Sequence, residues 1–191
     1  FSGASGVGKT TVARILAASL TDVPSDILEI DAASHGSVSD VRSLREMVQY
    51  APVGKARVLI LDEAHMLSNF AFDALLKIME ETPKNVYFIF ITTQEDRIPE
   101  TILSRCMHIP FSEISSDQIL SYLLTVSKKE QIEIEDEVLA EISLLKAPSV
   151  RSALSLLEQV VIEGSLTLVQ YHAMHGHADA GFLILAACRL G

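Results

Sequence analysis

Gly3-Ala4-Ser5-Gly6-Val7-Gly8-Lys9-Thr10 spells a complete G-x-x-x-x-G-K-[ST] string, and a helical segment follows it directly. Each element answers a need of a bound nucleoside triphosphate. Gly3, Gly6 and Gly8 let the backbone fold around phosphate oxygens in conformations that a side chain would hinder. Lys9 can reach the β- and γ-phosphates, and the Thr10 hydroxyl can ligate Mg²⁺. Ala4, Ser5 and Val7 complete the loop. From Thr11 to Leu20, apolar Val12, Ile15, Leu16 and Leu20 recur at helical spacing. A helix N-terminus, beginning near Thr11, is therefore expected to face the phosphates.

A triphosphate site also needs an acid carried toward the metal. Val58-Leu59-Ile60-Leu61 is a short, wholly apolar run, as expected of a parallel strand buried on both faces. It delivers Asp62-Glu63 at its carboxyl end, where ligands bind in open α/β sheets. Asp62 is expected to hold Mg²⁺, largely through its water shell, and Glu63 to orient the attacking water. The second carboxylate favours an enzyme over a nucleotide binder. His65 completes Asp-Glu-Ala-His and is assigned a structural or strand-end role.

With 191 residues the chain can bury a sizeable core, enough for one domain and a smaller one. No apolar stretch approaches a membrane span, and no secretory leader pattern stands at the start. Cys106 and Cys188 are too few for a disulfide scaffold or a four-cysteine zinc site, which fits a reducing, cytoplasmic setting. The net charge of −10 argues against a self-sufficient nucleic-acid binder. A contact with DNA would need a local patch or other subunits.

A phosphate loop should follow a strand, yet only Phe1 precedes Ser2. The sequence reads as a fragment cut within or just after that strand, a loss that argues against independent folding. Further on, Ile27 to Ile30, Val86 to Ile91 and Met107 to Phe111 read as strands. A helix with Val41, Leu44 and Val48 on one face ends before Pro52, and Ser68 caps another that reaches about Glu81. Strands alternating with helices indicate an α/β fold with a parallel sheet flanked by helices over residues 1–111. From Ser112 the pattern is helical only. Ser115 with Gln118 makes a capping box, Glu135 to Lys146 is a second helix, and Ser149 to Glu163, closed by Gly164, a third. A three-helix lid over residues 112–176 is expected.

Four further strings stand out: Glu29 to Ser34 leading into Val41-Arg42-Ser43-Leu44-Arg45-Glu46; Ala74-Leu75-Leu76-Lys77 before Met79 to Pro83; Ile102-Leu103-Ser104-Arg105-Cys106; and Ser149 to Leu154. Together they closely resemble the gamma/tau subunits of bacterial DNA polymerase III clamp loaders, which are AAA+ P-loop ATPases. The likeness runs from Phe1 to about Gly176.

The resemblance implies roles for three more residues. Thr93 matches sensor 1, a polar side chain near the γ-phosphate, with Thr92 the lesser candidate. Arg105 matches the arginine finger that reaches a neighbouring subunit's ATP, a task suited to a permanently charged, two-pronged donor. Arg151 matches sensor 2, the lid arginine. The implied ligands are ATP and Mg²⁺. The implied partners are delta, delta-prime and further gamma/tau copies, the sliding clamp, and primer–template DNA, with no membrane. The family's four-cysteine zinc module is absent, because Leu20 to Ile27 bridges its place directly, so no structural zinc is expected. Ala147-Pro148 stands where a glycine often precedes the sensor 2 serine. Residues 177–191 resemble only the start of the collar domain that mostly holds such subunits together.

The leading expectation is an ATP-driven motor subunit that loads a sliding clamp onto primed DNA, as part of a DNA-directed DNA polymerase assembly. The alternatives are a non-hydrolysing delta-prime-like stator, against which Lys9, Thr10, Asp62 and Glu63 all speak, and another AAA+ ATPase such as a branch-migration helicase. His172, His175 and His177 are closely spaced, but no acidic or cysteine partner with ligand spacing accompanies them, and no metal is assigned to them.

Overall fold

The computed structural model describes residues 1–35, 43–44, 46–48, 50–81 and 84–175. Two compact units emerge: residues 1–3 with 8–111, and residues 4–7 with 112–191.

In the first unit, β1 (Ile27–Asp31), β2 (Arg57–Asp62) and β3 (Val86–Phe90) form a parallel sheet in the order β1-β2-β3. Leu59 pairs with Leu28 on one side and Phe88 on the other. The apolar run of β2 explains its central place. Val58 to Leu61 are wholly enclosed, and their side chains alternate between two cores. Val58 and Ile60 pack with Ala13 and Ala17 of α1 (Lys9–Leu20). Leu59 and Leu61 pack with Phe72, Leu75 and Ile78 of α2 (Asn69–Glu81) and with Leu44 and Val48. At roughly 1.5–3 kcal/mol per large apolar side chain, these four are a principal anchor of the unit.

The α1 helix forms where expected, but of its large apolar residues only Leu20 packs on the sheet side. Val12, Ile15 and Leu16 are exposed, while Ala13 and Ala17 are completely buried. Positions four apart share a helix face, and alanines there let the helix lie close on β2. The α2 helix starts at Ser68, whose Oγ accepts from Ala71 N at 3.2 Å. Of the helix expected around Val41 to Val48, residues 43–44 and 46–48 are helical, with Leu44 and Val48 buried. Val41, Arg42, Arg45, Thr82 and Pro83 lie outside the described residues.

Beyond β3 the sheet continues by single bridges. Ser2 bridges Thr92 on one side and Pro110 on the other, both in parallel. Thr92 N donates to Phe1 O at 3.0 Å, Ser2 N to Ile109 O at 3.2 Å, and Phe111 N to Ser2 O at 2.7 Å. Phe1 and Ser2 thus make strand-like pairings directly before the phosphate loop. Residues 107–111, expected as a strand, make a bridge rather than a ladder. Pro110 has no N–H to give to a ladder.

Asp26 braces the far end of this unit. Fully enclosed, it accepts from Gly54 N at 2.6 Å, Val53 N at 3.1 Å and Arg57 Nη2 at 3.2 Å. The Gly54 amide above all, then that of Val53 and the Arg57 guanidinium, holds its carboxyl below the usual range against the opposing effect of burial. Arg57 Nη1 also donates to the carbonyls of Met47 and Tyr50.

After the short α3 (Glu100–Leu103), the second unit is helical: α4 (Ser116–Lys129), α5 (Asp136–Lys146), α6 (Val150–Glu163) and α7 (Leu168–His175). Ser115 and Gln118 form the expected capping box, and Ser149 Oγ accepts from Ser152 N. Gly164 ends α6 with φ 71°, a left-handed turn suited to glycine. Ile119, Leu123, Leu139, Ile142, Leu157 and Tyr171 share one core. Three helices were expected here, and among the described residues four form. The last, α7, is only eight residues long and mixes Tyr171, His172 and His175 among its apolar positions. His172 Nε2 meets Glu141 Oε1 at 2.6 Å, and His175 Nε2 meets Glu163 Oε2 at 2.8 Å. Among the described residues no single helix is long and apolar enough to cross a membrane. Residues 177–191, where the collar was expected, and Cys188 lie outside the described residues.

Candidate active site

The site is built where α1 and the tips of β2 and β3 converge. Gly6 and Gly8 adopt φ 78° and 98°, the left-handed conformations that a loop wrapped around anions demands. Gly8 is also the N-cap of α1, with no side-chain cap. The helix therefore opens with amide groups that a bound anion can satisfy. Lys9 is almost fully buried, and its Nζ donates to Gly3 O at 2.8 Å. Its place at the root of the loop puts an ammonium beside the amides that open α1.

Thr10 Oγ1 donates to Asp62 Oδ2 at 2.8 Å, and Asp62 Oδ1 accepts from Glu63 N at 2.9 Å. Both carboxylate oxygens are thus oriented, and a hydroxyl and a carboxylate share one point. Two such hard oxygen donors beside a phosphate loop fit a magnesium ion, which keeps several of its waters.

Glu63 has φ 48°, an uncommon backbone state for a residue with a side chain. The turn it makes lets Ala64 N donate to Ile91 O at 2.9 Å, stitching the tip of β2 to the end of β3. The Glu63 side chain stays 40% exposed, open to solvent water. Thr93 Oγ1 stands 3.5 Å from Glu63 Oε2. Thr92 is buried instead, and its hydroxyl bonds within the turn to Gln94.

Sequence reasoning set His65 aside as structural. The structure puts its nearly enclosed ring beside the acid: Nδ1 lies 3.1 Å from Thr92 Oγ1 and 3.4 Å from Glu63 Oε2. The available signal was a histidine two positions after Glu63, together with a threonine closing the neighbouring strand.

Thr11 is exposed on α1. Arg105 Nη2 donates to Glu80 Oε1 at 2.7 Å and Nη1 to Thr101 O at 2.9 Å, an exposed arrangement. Beside it, burial pushes the Cys106 thiol up, away from reactivity. Ala4, Ser5, Gly6 and Val7 belong to the second unit, as does Arg151, exposed in the first turn of α6. A groove of about 560 Å³ in the first unit, lined by Tyr87, Phe88, Arg105 and Met107, lies away from the phosphate loop.

The family model described as DNA polymerase III, delta subunit, matches residues 25–115. The chain is 43% identical over 182 residues to the DNA polymerase III subunit gamma/tau of Mycoplasma genitalium, covering 84% of this chain and 30% of that protein. It is 38% identical over 186 residues to the DNA polymerase III subunit gamma of Buchnera aphidicola, covering 86% and 52%. Against the DNA polymerase III subunit tau of Escherichia coli it is 39% identical over 203 residues, covering 94% and 32%. The chain thus spans between 30% and 52% of the length of these relatives. Among solved structures it is similar to the Thermotoga maritima RuvB Holliday junction branch migration motor, with TM-score 0.70 and 18% identity over 99% of this chain and 60% of that one. A RuvB mutant from the same organism gives TM-score 0.74 at 17% identity, over 94% and 64%. At such identities the likeness speaks for the fold alone.

Proposed function

Because the chain belongs to the gamma/tau subunit family of DNA polymerase III and carries an AAA+ fold, we propose that it is the ATP-binding and hydrolysing part of a clamp loader motor subunit. The observation that carries this reading is the meeting of Thr10 and Asp62 at one point, with Glu63 next in the chain. A protein that only bound nucleotide would have no use for the second, solvent-open carboxylate.

In this reading Lys9 and the amides opening α1 bind the triphosphate tail. Thr10 and Asp62 hold Mg²⁺, which when bound neutralises charge between the β- and γ-phosphates. Glu63 accepts a hydrogen bond from water and turns its lone pair toward the γ-phosphorus, with Thr93 fixing the far side of that water. Arg105 leaves Glu80 to reach the triphosphate of a neighbouring subunit, which makes hydrolysis depend on assembly. Residues 112–175 act as a lid, from which Arg151 contacts the nucleotide of its own subunit. Delta, delta-prime and further gamma/tau copies are the expected companions. The sliding clamp and primer–template DNA are what the assembly handles, in the cytoplasm.

The test is ATP hydrolysis by the full-length protein, reconstituted with its companion subunits, with and without clamp and primed DNA. Turnover stimulated by clamp and DNA supports the motor reading. Nucleotide binding without turnover would instead favour the stator.

A further inference from the structure

His65 closes the Asp-Glu-Ala-His string, and the hydrolytic reading leaves it without a task. Its surroundings fix where its proton sits. Thr92 has one hydroxyl proton, and Oγ1 directs it to Gln94 O at 3.0 Å. The lone pairs of the same oxygen then face Gln94 N at 3.0 Å and His65 Nδ1 at 3.1 Å. Two acceptors cannot share a hydrogen bond, so the proton at that contact belongs to the ring, on Nδ1. The same Nδ1 lies 3.4 Å from Glu63 Oε2. One ring nitrogen thus stands between a buried threonine in the turn after β3 and the exposed carboxylate at the tip of β2.

The same oxygen of Glu63 is approached by Thr93 Oγ1 at 3.5 Å. Both contacts are long, as contacts around a reacting group often are before substrate draws them in. His65 and Thr93 therefore hold one oxygen of the carboxylate, which leaves the other to face water. The left-handed turn at Glu63 makes this geometry possible, because it folds the chain back so that the ring two residues later lies beside the acid.

We propose that His65 is a positioning residue, whose Nδ1–H, set in that tautomer by Thr92, aims the Glu63 carboxylate and ties it to the turn that presents Thr93. This rests on Glu63 being the water-orienting carboxylate. His65 touches neither nucleotide nor water; it acts through Glu63.

The experiment measures ATP affinity and kcat of the full-length protein in its reconstituted complex. His65→Leu removes the donor while keeping bulk, and is expected to lower kcat on the order of ten- to a hundredfold, the size typical of groups that orient a reacting ligand through one hydrogen bond. ATP affinity should be unchanged, which also reports folding. His65→Asn places an amide N–H where Nδ1 stands and should recover most of the rate. His65→Gln, whose amide reaches instead toward the position of Nε2, should not. In a Glu63→Gln background, adding His65→Leu should cost nothing further. Wild-type kcat in His65→Leu, failure of His65→Asn to exceed the rate of His65→Gln while binding ATP normally, or a full additional loss in the double variant would each overturn the proposal. Normal turnover in Glu63→Gln alone would instead remove the reading of Glu63 on which it rests.

Discussion

The Thr10 hydroxyl donates to Asp62 Oδ2 across 2.8 Å, joining the first turn of α1 to the tip of a strand 52 residues further along the chain. Neither residue is unusual alone. Their meeting is set by the packing of Ala13 and Ala17 on Val58 and Ile60, which brings the start of the helix over the end of β2.

Magnesium dependence tests that meeting directly. Thr10→Ala removes one of two hard oxygens, and ATP affinity measured with Mg²⁺ is expected to fall about tenfold, or 1.4 kcal/mol. Affinity in EDTA should barely change. An equal loss in both titrations would mean that the hydroxyl serves the loop rather than a metal.

Lys9→Ala should weaken ATP binding by roughly ten- to a hundredfold, the equivalent of a charged hydrogen bond of about 1.5–3 kcal/mol. Isothermal titration of the full-length protein gives the number. Wild-type affinity would remove Lys9 from the phosphate site.

Arg105→Ala should leave ATP affinity and melting temperature close to wild type, since an exposed pair such as Arg105–Glu80 contributes about 0–1 kcal/mol. Clamp- and DNA-stimulated hydrolysis in the complex should fall by roughly 10³-fold or more if the guanidinium acts across a subunit boundary. Stimulated turnover at the wild-type rate would leave it as a surface ion pair.

Acid should loosen the first unit through Asp26. Its carboxyl is held below the ordinary range in the folded state, chiefly by the Gly54 amide. The unfolded chain, with a carboxyl near about 3.9, therefore takes up the proton first. The stabilisation is complete above that value and is lost as pH falls from it toward the folded one. Asp26→Asn should melt below wild type at pH 7, with the gap narrowing once pH drops under about 4. A gap independent of pH would show that shape, not charge, accounts for Asp26.

Much of the first unit could be read ahead of its structure because its signals are local. Four consecutive apolar residues in β2 mark a strand covered on both faces, and a glycine-rich string before a helix marks the loop. What escaped was set by distance or size. The inner face of α1 is chiefly Ala13 and Ala17 with Leu20 at its end, and small alanines give no apolar signal to set beside Val12, Ile15 and Leu16. The run 107–111 has strand composition, but Pro110 has no N–H to give to a ladder. For the site, the loop and the Asp62-Glu63 pair announce themselves. The contact of His65 with Thr92 and Glu63 depends on a left-handed turn at Glu63 that no propensity foretells.

Ser2 is fastened on both flanks, to the end of β3 and to the segment around Pro110, and the phosphate loop begins at the very next residue. The loop is therefore rooted in a seam between two parts of the sheet rather than in open chain. Shear along that seam has to displace the carbonyl of Gly3 against which Lys9 rests. Amide exchange at Thr92 and Phe111, whose N–H groups bond Phe1 O and Ser2 O, would slow as the loop tightens.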